Sequence, residues 1–434
     1  MSYIFTNLIF METKIFKHSS KLLFIHLALF ICSCNGNSRI SESYESIPTI
    51  NLDLASLEVV HFDSVATNVR FIPLETTKDC LIEKYDDIRI IGQKIYVKSS
   101  SGIQNAIFVF DLNGKFLFKI DNQGRGPGEY NAISSFYVDP DLERIGIIDQ
   151  LKVVVYDFNG KYIMSHTFTD LYPDKDAISS SGKYYTTAFE YEKIMASGKD
   201  SKSEIVAVFD ADWNLLWRDY PVNINIITTI YSGEQKQLFI PVGDRLYFLH
   251  THSNIIYEFV TNTMEPAFRI DYGSHTVSDE ELRLLLELEV KDYYKSIINK
   301  NLWIPGSTSL FMTGNHILIS TSIGKSVING LYNRNSGECV KLDMSVAWGN
   351  LMPGRIMCNE NIFFGIIEPA IINRIAKDIN TGNVLVSELR SQFSPSKMES
   401  FHHYQINDNA VIVFFDLKDQ FFKSDRAESP LKNE

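Results

Sequence analysis

The sequence predicts an all-β protein, a six-bladed β-propeller of four-stranded antiparallel blades. One observation is a repeated strand–turn–strand unit: residues 107–118 match residues 153–164 at an offset of 46. In both copies an apolar strand runs into an Asp-x-Asn-Gly turn, and Asn-Gly accepts the positive φ of a tight hairpin. The other observation is a further strand ahead of each such unit. Six strand pairs at a period of about 40–80 residues are typical of propeller blades.

The later units depart from the Asp-x-x-Gly form but keep the spacing. They cover residues 206–217, 255–264, 330–337 and 410–416. The preceding strands are expected at residues 94–97, 145–149, 184–188, 245–249, 316–320 and 361–366. A single blade cannot bury both its faces, so the ring has to close. We expect Val69–Leu74 to complete the last blade as an outer edge strand, where Pro73 is tolerated.

One segment breaks the all-β pattern. Ser278 and Glu281 have the spacing of a helix capping box. An apolar stripe at helical spacing follows, formed by Leu282, Leu286, Val290, Tyr293 and Ile297. This pattern predicts a helical insertion at about residues 279–299, between the fourth and fifth blades. We expect its stripe to pack on the propeller edge or top; the alternative is a lid or partner-docking element.

The amino-terminal residues predict export. A basic segment containing Lys14, Lys17 and Lys21 precedes an apolar run over residues 22–31. A basic start followed by 7–15 apolar residues is typical of a secretory signal, whereas a spanning helix needs about 20. The run ends in Ile31-Cys32-Ser33-Cys34, which resembles the bacterial lipobox. We predict a signal peptide over residues 1–33 and lipidation of Cys34; the alternative is an ordinary cleavage site with a spare cysteine.

Domain boundaries follow from these assignments. Residues 34–50 are expected to form the lipidated cysteine and a flexible tether, because they are polar and lack a hydrophobic period. The propeller is then expected over residues 51–420 and a polar tail over residues 421–434. Two acyl chains already anchor a protein stably to a membrane. We therefore expect attachment to the outer membrane, on its periplasmic rather than its cell-surface face, because no acidic run follows Cys34.

Charge and cysteine content narrow the function classes. Without residues 1–33 the chain has 38 basic and 52 acidic residues. This balance lacks the basic footprint of a nucleic-acid binder. Besides Cys34, the exported chain would contain three cysteines, too few for a disulfide framework. Whether Cys339 and Cys358 pair is left open.

A glycine-rich motif gives the most specific resemblance. It comprises Gly124, Arg125, Gly126, Pro127, Gly128, Glu129 and Tyr130. With Leu74-Glu-Thr-Thr77 and the turn at residues 110–115, this motif resembles the six-bladed propeller lipoproteins of Gram-negative gut bacteria. The resemblance covers residues from about 69 to 160. It implies a propeller fold and an envelope location, and it brings no established activity or catalytic residues.

The motif has two interpretations. A dinucleotide-binding loop would need a glycine where Glu129 stands and a helix after it, whereas a strand follows. We expect a tight crossing between blades, with Tyr130 packed beneath it and Glu129 fixing backbone amides or Arg125. The alternative is contact with a ligand.

No catalytic residue, metal site or cofactor can be assigned from the sequence. His250 and His252 would share one strand face without a third ligand, and Asp139-Pro-Asp141 is typical of a turn. Tryptophans could stack on sugars, but aromatic residues in propeller blades usually pack between sheets. The four tryptophans of this chain are Trp213, Trp217, Trp303 and Trp348.

Three function classes remain. The first is a non-catalytic binding or scaffold propeller at the cell envelope, with an unidentified protein or glycan as partner and membrane contact only through the lipid. The second is an enzyme, a metal-assisted hydrolase or lyase that uses the central channel. The third is an accessory or sensor domain of a nutrient-uptake assembly. The first is favoured because propellers offer a broad binding face and no active site is recognisable.

Overall fold

The computed structural model describes residues 47–53, 56–149, 151–173, 176–190, 202–223, 237–250, 253–285, 288, 290–304, 308–344, 355–359, 362–374, 404–419 and 421. The predicted signal peptide and Cys34 lie outside these residues. No helix in the described ranges is long and apolar enough to span a bilayer.

Three short strands precede the first blade. They are β1 (Thr49–Asn51), β2 (Val59–His61) and β3 (Ala66–Pro73), with the single-turn helix α1 (Phe62–Val65) before β3. Blade 1 consists of β4 (Asp87–Ile91), β5 (Lys94–Ser100), β6 (Asn105–Asp111) and β7 (Phe116–Ile120). Blade 2 consists of β8 (Ser135–Asp139), β9 (Arg144–Asp149), β10 (Lys152–Asp157) and β11 (Tyr162–Thr167). Blade 3 consists of β12 (Tyr172–Pro173), β13 (Ile178–Ser180), β14 (Lys183–Phe189), β15 (Lys202–Phe209) and β16 (Leu215–Asn223).

Blades 4 to 6 complete the ring. Blade 4 consists of β17 (Phe239–Val242), β18 (Arg245–Leu249), β19 (Ile255–Val260) and β20 (Thr263–Asp271). Blade 5 consists of β21 (Ser309–Met312), β22 (His316–Ile323), β23 (Ser326–Asn333) and β24 (Cys339–Asp343). Blade 6 contains β25 (Arg355–Asn359), β26 (Ile362–Ile367) and β27 (Val411–Leu417). Strands from the amino-terminal segment join all three of these blades. The first strands of different blades contact one another around the axis. The predicted six-bladed propeller is confirmed, and each predicted preceding strand is the second strand of its blade.

The apolar core lies between the blades. Val109 of blade 1 and Ile147 of blade 2, both fully buried, belong to one apolar cluster. Other clusters join blades 2 and 3 and blades 4 and 5 in the same way. Each blade therefore depends on its neighbours for the burial of its faces.

The Asp-x-Asn-Gly turns have the chemistry predicted for them. Asp111 Oδ1 accepts hydrogen bonds from the backbone N–H groups of Asn113 at 2.8 Å and Lys115 at 2.9 Å. Gly114 follows with φ of +82°. Asp157 and Gly160 repeat this arrangement in blade 2. The side chain of the aspartate thus closes the turn, and the glycine supplies the left-handed residue.

Blade 3 makes the same turn without a glycine. Trp213 occupies the glycine position with φ of +65°, a conformation that costs about 1–2 kcal/mol for a residue with a Cβ. Its indole is buried and stacks on Tyr184 at 4.9 Å. The indole N–H also donates to Tyr137 Oη at 3.3 Å. Burial of this large ring between blades 2 and 3 offsets the backbone strain, so the turn survives the loss of glycine.

Ring closure follows the prediction from Val69–Leu74. Strand β3 pairs antiparallel with β27 as the outer strand of blade 6, and Pro73 lies opposite Val411 at the end of this edge strand. Blade 6 thus joins residues from the two ends of the described chain.

The buried side chain of Asn409 stabilises this closure. Its Nδ2 donates to the carbonyls of Glu75 at 2.7 Å and Cys80 at 2.8 Å. Its Oδ1 accepts the N–H of Ile82 at 2.9 Å. One fully buried amide therefore holds the segment after β3 against the start of β27.

The amino-terminal segment makes further contacts that the sequence did not predict. Strand β1 pairs parallel with β20, and β2 pairs parallel with β24, as fifth strands of blades 4 and 5. We call residues 49–61 the strap. Thr49 and Ile50, expected in the tether from the sequence, belong to β1, and Ile50 is fully buried. Phe421, expected in the tail, is also buried. Such short strands contain a single buried residue, so no period reveals them.

The predicted insertion lies between blades 4 and 5 and contains two helices, α2 (Asp279–Leu285) and α3 (Val290–Asn299). Ser278 Oγ accepts the N–H of Glu281 at 3.2 Å, as expected of a cap. The Glu281 carboxylate binds Lys300 Nζ at 2.5 Å instead of turning back. Tyr293 and Ile297 are buried in the cluster shared by blades 4 and 5, so these two residues of the stripe pack on the propeller.

Cys80, Cys339 and Cys358 are free thiols in the described part of the chain. Cys339 and Cys358, whose pairing the sequence left open, therefore form no disulfide bond with each other.

We expect Asn409→Ala to lower the free energy of unfolding by about 2 kcal/mol or more, because it leaves two buried backbone groups, the carbonyl of Cys80 and the N–H of Ile82, without this partner at about 1–3 kcal/mol each. Urea denaturation measures the change. Asn113→Ala, at an exposed turn position, is the control and should change stability by less than about 0.5 kcal/mol. Equal effects of the two substitutions would contradict the role of Asn409 in closure.

Candidate functional site

The glycine-rich motif forms the crossing from blade 1 to blade 2, between β7 and β8. We call residues 124–130 the motif loop. Gly124 N–H donates to the carbonyl of Tyr130 at 2.9 Å, and Glu129 N–H donates to the carbonyl of Gly126 at 3.1 Å. The loop therefore folds back on itself through its own backbone.

The glycines make room for the Glu129 side chain. Its Oε2 accepts the N–H of Gly126 at 2.7 Å. A Cβ on Gly124 would lie only 2.1 Å from the same oxygen. Gly128 has φ of +75° and lies against the ring of Tyr162 from blade 2. These residues serve the loop's own conformation, as the crossing interpretation predicts.

Side chains from the blades hold the motif loop from below. Tyr130 is fully buried, and its hydroxyl lies 2.8 Å from the carbonyl of Asn105 and 3.0 Å from that of Ile120. Burial raises the pKa of Tyr130 above its usual value, so the hydroxyl keeps its proton. Tyr156 Oη donates to the carbonyl of Gly128, and Lys152 Nζ donates to that of Glu129, both at 2.7 Å.

The upper side of the motif loop remains open to solvent. Arg125 and Pro127 are exposed. A ligand role for the loop, the alternative raised by the sequence, stays a prediction that rests on these two residues.

A second exposed feature lies beside the loop. Ile103 is 90% exposed at the turn between β5 and β6. Its neighbour Gln104 donates from Nε2 to the carbonyl of Leu81 at 2.9 Å, and Leu81 is 44% exposed. Asn105 Nδ2 donates to the carbonyl of Asn131, just after the motif loop, at 3.1 Å. We call Leu81, Ile103, Arg125 and Pro127 the motif face.

A polar cluster joins the blades near the axis. The Arg89 guanidinium binds the Asp87 carboxylate at 3.0 Å and the carbonyl of Ala177 at 2.5 Å. It lies 3.7 Å from Asp176 Oδ1 and packs on the Phe136 ring at 4.4 Å. We call Asp87, Arg89, Ser135 and Asp176 the axial cluster.

Asp176 is the most buried of the three charged members of the axial cluster. Its Oδ2 accepts the backbone N–H groups of Leu238 and, at 2.7 Å, Phe239. Burial raises the pKa of Asp176 to about 6, although Arg89 and the two amides act in the opposite direction. Ser135 Oγ accepts the N–H of the adjacent Ala177 at 3.0 Å. Blades 1 to 4 are thus tied together at the segments leading into or forming their inner strands.

The remaining sequence candidates have structural surroundings where they are described. His250 is buried 5.2 Å from the Tyr220 ring, and His252 lies outside the described residues. Asp139 Oδ1 accepts the N–H groups of Asp141 and Leu142 at 3.1 Å, which confirms the turn. Across the described ranges, no three His, Cys, Asp or Glu residues are grouped to hold a metal ion.

The tryptophans follow the packing interpretation where they are described. Trp303 is buried and stacks on Tyr272 at 4.8 Å, as Trp213 does on Tyr184. Trp217 is half-buried and Trp348 lies outside the described residues. The two buried rings cannot serve as a sugar platform.

The pH dependence of stability tests the axial cluster. An unfolded aspartate has a pKa of about 3.9, so the folded protein holds the Asp176 proton more tightly than the unfolded chain. The stabilisation of the folded state by protonated Asp176 is fully present below about pH 4 and is lost as the pH rises through about 6. We expect the stability of the wild-type protein relative to Asp176→Asn, which cannot titrate, to fall by about 2 kcal/mol from pH 4 to pH 7.

Urea denaturation at several pH values measures this difference. Asn113→Ala, which removes no titratable group and lies at an exposed turn, is the control and should give a difference that changes little with pH. A constant difference for Asp176→Asn would show that its carboxylate ionises as easily in the folded as in the unfolded state.

Comparison with solved structures supports the architecture. A Bacteroides fragilis protein described as exported aligns with a TM-score of 0.65 at 18% identity, covering 85% of this chain and 99% of that chain. A Bacteroides caccae protein of unknown function aligns at 0.35 and 8% identity, covering 63% and 82%. The propeller domain of the Pyrococcus furiosus trilobed protease aligns at 0.36 and 11%, covering 65% and 76%. Only the first supports a shared fold, and it shows nothing further.

Sequence comparison gives the family. No curated protein is significantly similar to the chain. The family described as Domain of unknown function (DUF4934) matches residues 47–416, from the start of the strap to the last strand of the propeller. This chain therefore belongs to the DUF4934 family.

Proposed function

We propose that this chain is a lipoprotein of the cell envelope whose propeller binds a partner protein without catalysis, through the motif face. Its signal peptide would direct export, and lipid on Cys34 would attach it to the periplasmic side of the outer membrane. The lipobox-like Ile31-Cys32-Ser33-Cys34 at the end of the apolar run supports the anchor.

The exposure of Ile103 is the observation that carries the proposal. A side chain that is 90% exposed adds almost no buried apolar area to the folded state. The turn that carries Ile103 is nevertheless held in one conformation. Ser101 Oγ accepts the N–H of Gln104 at 2.9 Å and donates to the Glu83 carboxylate at 2.6 Å. An aliphatic side chain on a turn that is already ordered would bury apolar area in a partner with little further loss of backbone freedom.

The rest of the motif face fits the same use. The motif loop is locked by its own hydrogen bonds, so the backbone of Arg125 and Pro127 loses little conformational freedom on binding. Arginine is enriched at protein interfaces, and Leu81 adds apolar area next to Ile103. A partner protein fits this mixture better than a glycan, because sugar platforms use exposed aromatic rings.

Cys34→Ala should abolish incorporation of an alkyne-labelled palmitate during growth, because it removes the sulfur that receives the lipid. Cys32→Ala is the matched control and should leave the label in place. Labelling is read on the purified protein by gel fluorescence. Loss of the label in Cys32→Ala, or its retention in Cys34→Ala, would refute lipidation at Cys34.

A photo-crosslinking amino acid at position 103 should trap one partner of defined mass in intact cells. The same amino acid at position 327 is the control, because Val327 is 66% exposed on the distant blade 5. Arg125→Glu should reduce the adduct at position 103 without unfolding the protein. Equal adducts at the two positions would contradict a specific motif face.

A polysaccharide array tests the remaining classes. Saturable glycan binding that is lost in Ile103→Asp would replace the protein partner by a glycan. Release of reducing ends from any bound polysaccharide would show catalysis and overturn the proposal.

A further inference from the structure

The strap shows how this propeller receives an additional strand. In blade 4 it pairs with Arg269-Ile270-Asp271, and in blade 5 with Lys341-Leu342-Asp343. Both tripeptides end the fourth strand of their blade and have the order basic, apolar, aspartate. In both, the apolar residue is buried: Ile270 is 0% exposed and Leu342 is 2% exposed.

Blade 1 contains a third copy of this tripeptide. Lys119 and Ile120 end β7, Asp121 follows directly after it, and Ile120 is 1% exposed. Within the described residues, β7 is the last strand of its sheet. The edge that receives the strap in blades 4 and 5 is therefore open in blade 1.

The other open edges lack the tripeptide. The corresponding residues of blade 2 are Ser165-His166-Thr167, which contain neither an aliphatic residue nor an aspartate. The fourth strand of blade 3 contains Pro221, which cannot donate a backbone hydrogen bond. Blade 1 is thus the open edge that matches the strap-binding pattern.

The backbone of β7 is oriented for a fifth strand at Lys119, whereas the carbonyl of Asp121 already accepts the N–H of Gln123 at 2.8 Å. In blade 4, the N–H of Ile270 points inwards to the carbonyl of Asn254, and the carbonyl of Asp271 points outwards to the N–H of Leu52. In blade 1, the carbonyl of Ile120 likewise faces inwards, where Tyr130 Oη binds it. By strand alternation the backbone groups of Lys119 face outwards, where an added strand would pair.

The charges indicate what the added strand should contain. In blade 5 the strap residue His61 approaches Asp343 with its Nδ1 at 3.3 Å. In blade 1 the corresponding Asp121 binds Lys119 of its own strand at 2.8 Å, and both side chains are accessible to solvent. A basic residue of an incoming strand could take the place of Lys119 beside Asp121.

We propose that Lys119–Asp121 is a docking site for an extended segment of a partner protein, which adds to blade 1 as a parallel fifth strand. The segment has a β-branched residue at its centre and a basic residue after it, like Val59-Val60-His61 of the strap. This site lies on the outer edge of blade 1 and shares no residue with the motif face, so either proposal can fail alone.

A synthetic peptide of residues 57–63 is the probe, and the full chain is the protein. We expect saturable binding by fluorescence anisotropy, with a Kd below about 1 mM. Bound peptide should slow amide hydrogen exchange at residues 117–121, because pairing protects outward N–H groups. The same peptide with Val60→Asp is the matched control and should bind at least tenfold more weakly.

Two protein variants locate the site. Lys119→Pro removes one outward N–H on an edge strand, where proline is tolerated, and should weaken binding at least tenfold. Thr167→Pro, near the corresponding position of blade 2, should leave binding unchanged. If Lys119→Pro unfolds the protein by circular dichroism, Asp121→Lys replaces it and should weaken binding through repulsion of the peptide histidine and the loss of its partner.

Three results would overturn the proposal. The first is the absence of saturable binding at about 1 mM peptide. The second is protection at residues 269–271 or 341–343 in place of 117–121, which would show that the peptide displaces the strap. The third is concentration-dependent self-association that Lys119→Pro abolishes, which would assign the edge to a second copy of the chain.

Discussion

Burial of the apolar faces of each blade against its neighbours is the constraint on which the rest of the structure depends. Tyr96 and Val109 of blade 1 lie in one cluster with Phe136 and Ile147 of blade 2. No sheet in such an arrangement has a complete core of its own, so the sixth blade must meet the first. Strand β3 makes that possible by joining β27 over a separation of more than three hundred residues in the chain. Contacts of this range are slow to form, because loop closure costs entropy before the contacts stabilise the fold.

Much of the fold was predictable because its signals are local. An Asp-x-Asn-Gly turn encodes its own hydrogen bonds, since the Asp111 carboxylate reaches amides two and four residues ahead. The spacing of these turns then sets the number of blades. The strap was not predictable in the same way. Strands β1 and β2 each bury one central residue, Ile50 and Val60, and one apolar residue creates no period.

The candidate site likewise has a part that the sequence could predict and a part that it could not. The motif loop is a contiguous run whose contacts are largely internal, so its role as a crossing could be predicted from Glu129 and the glycines around it. The axial cluster joins Arg89 to Ala177, 88 residues apart, and then to the amides of Leu238 and Phe239. Nothing around Arg89, which lies between Ile88 and Ile90 in an ordinary strand, marks its partner. The exposure of Ile103 was also hidden, because isoleucine predicts burial until the turn that holds it is known.

The strap also has a mechanical consequence. A pull on the amino-terminal end of the described chain would load β1 first, then β2, and reach β3 only after both had detached. Each of the first two strands has three residues, whereas β3 has eight. Detachment of the two short strands would release roughly 55 Å of extended chain between Thr49 and Ala66. The chain could therefore lengthen under tension while the ring of six blades remains closed, so part of an applied force would be absorbed before the propeller itself is loaded.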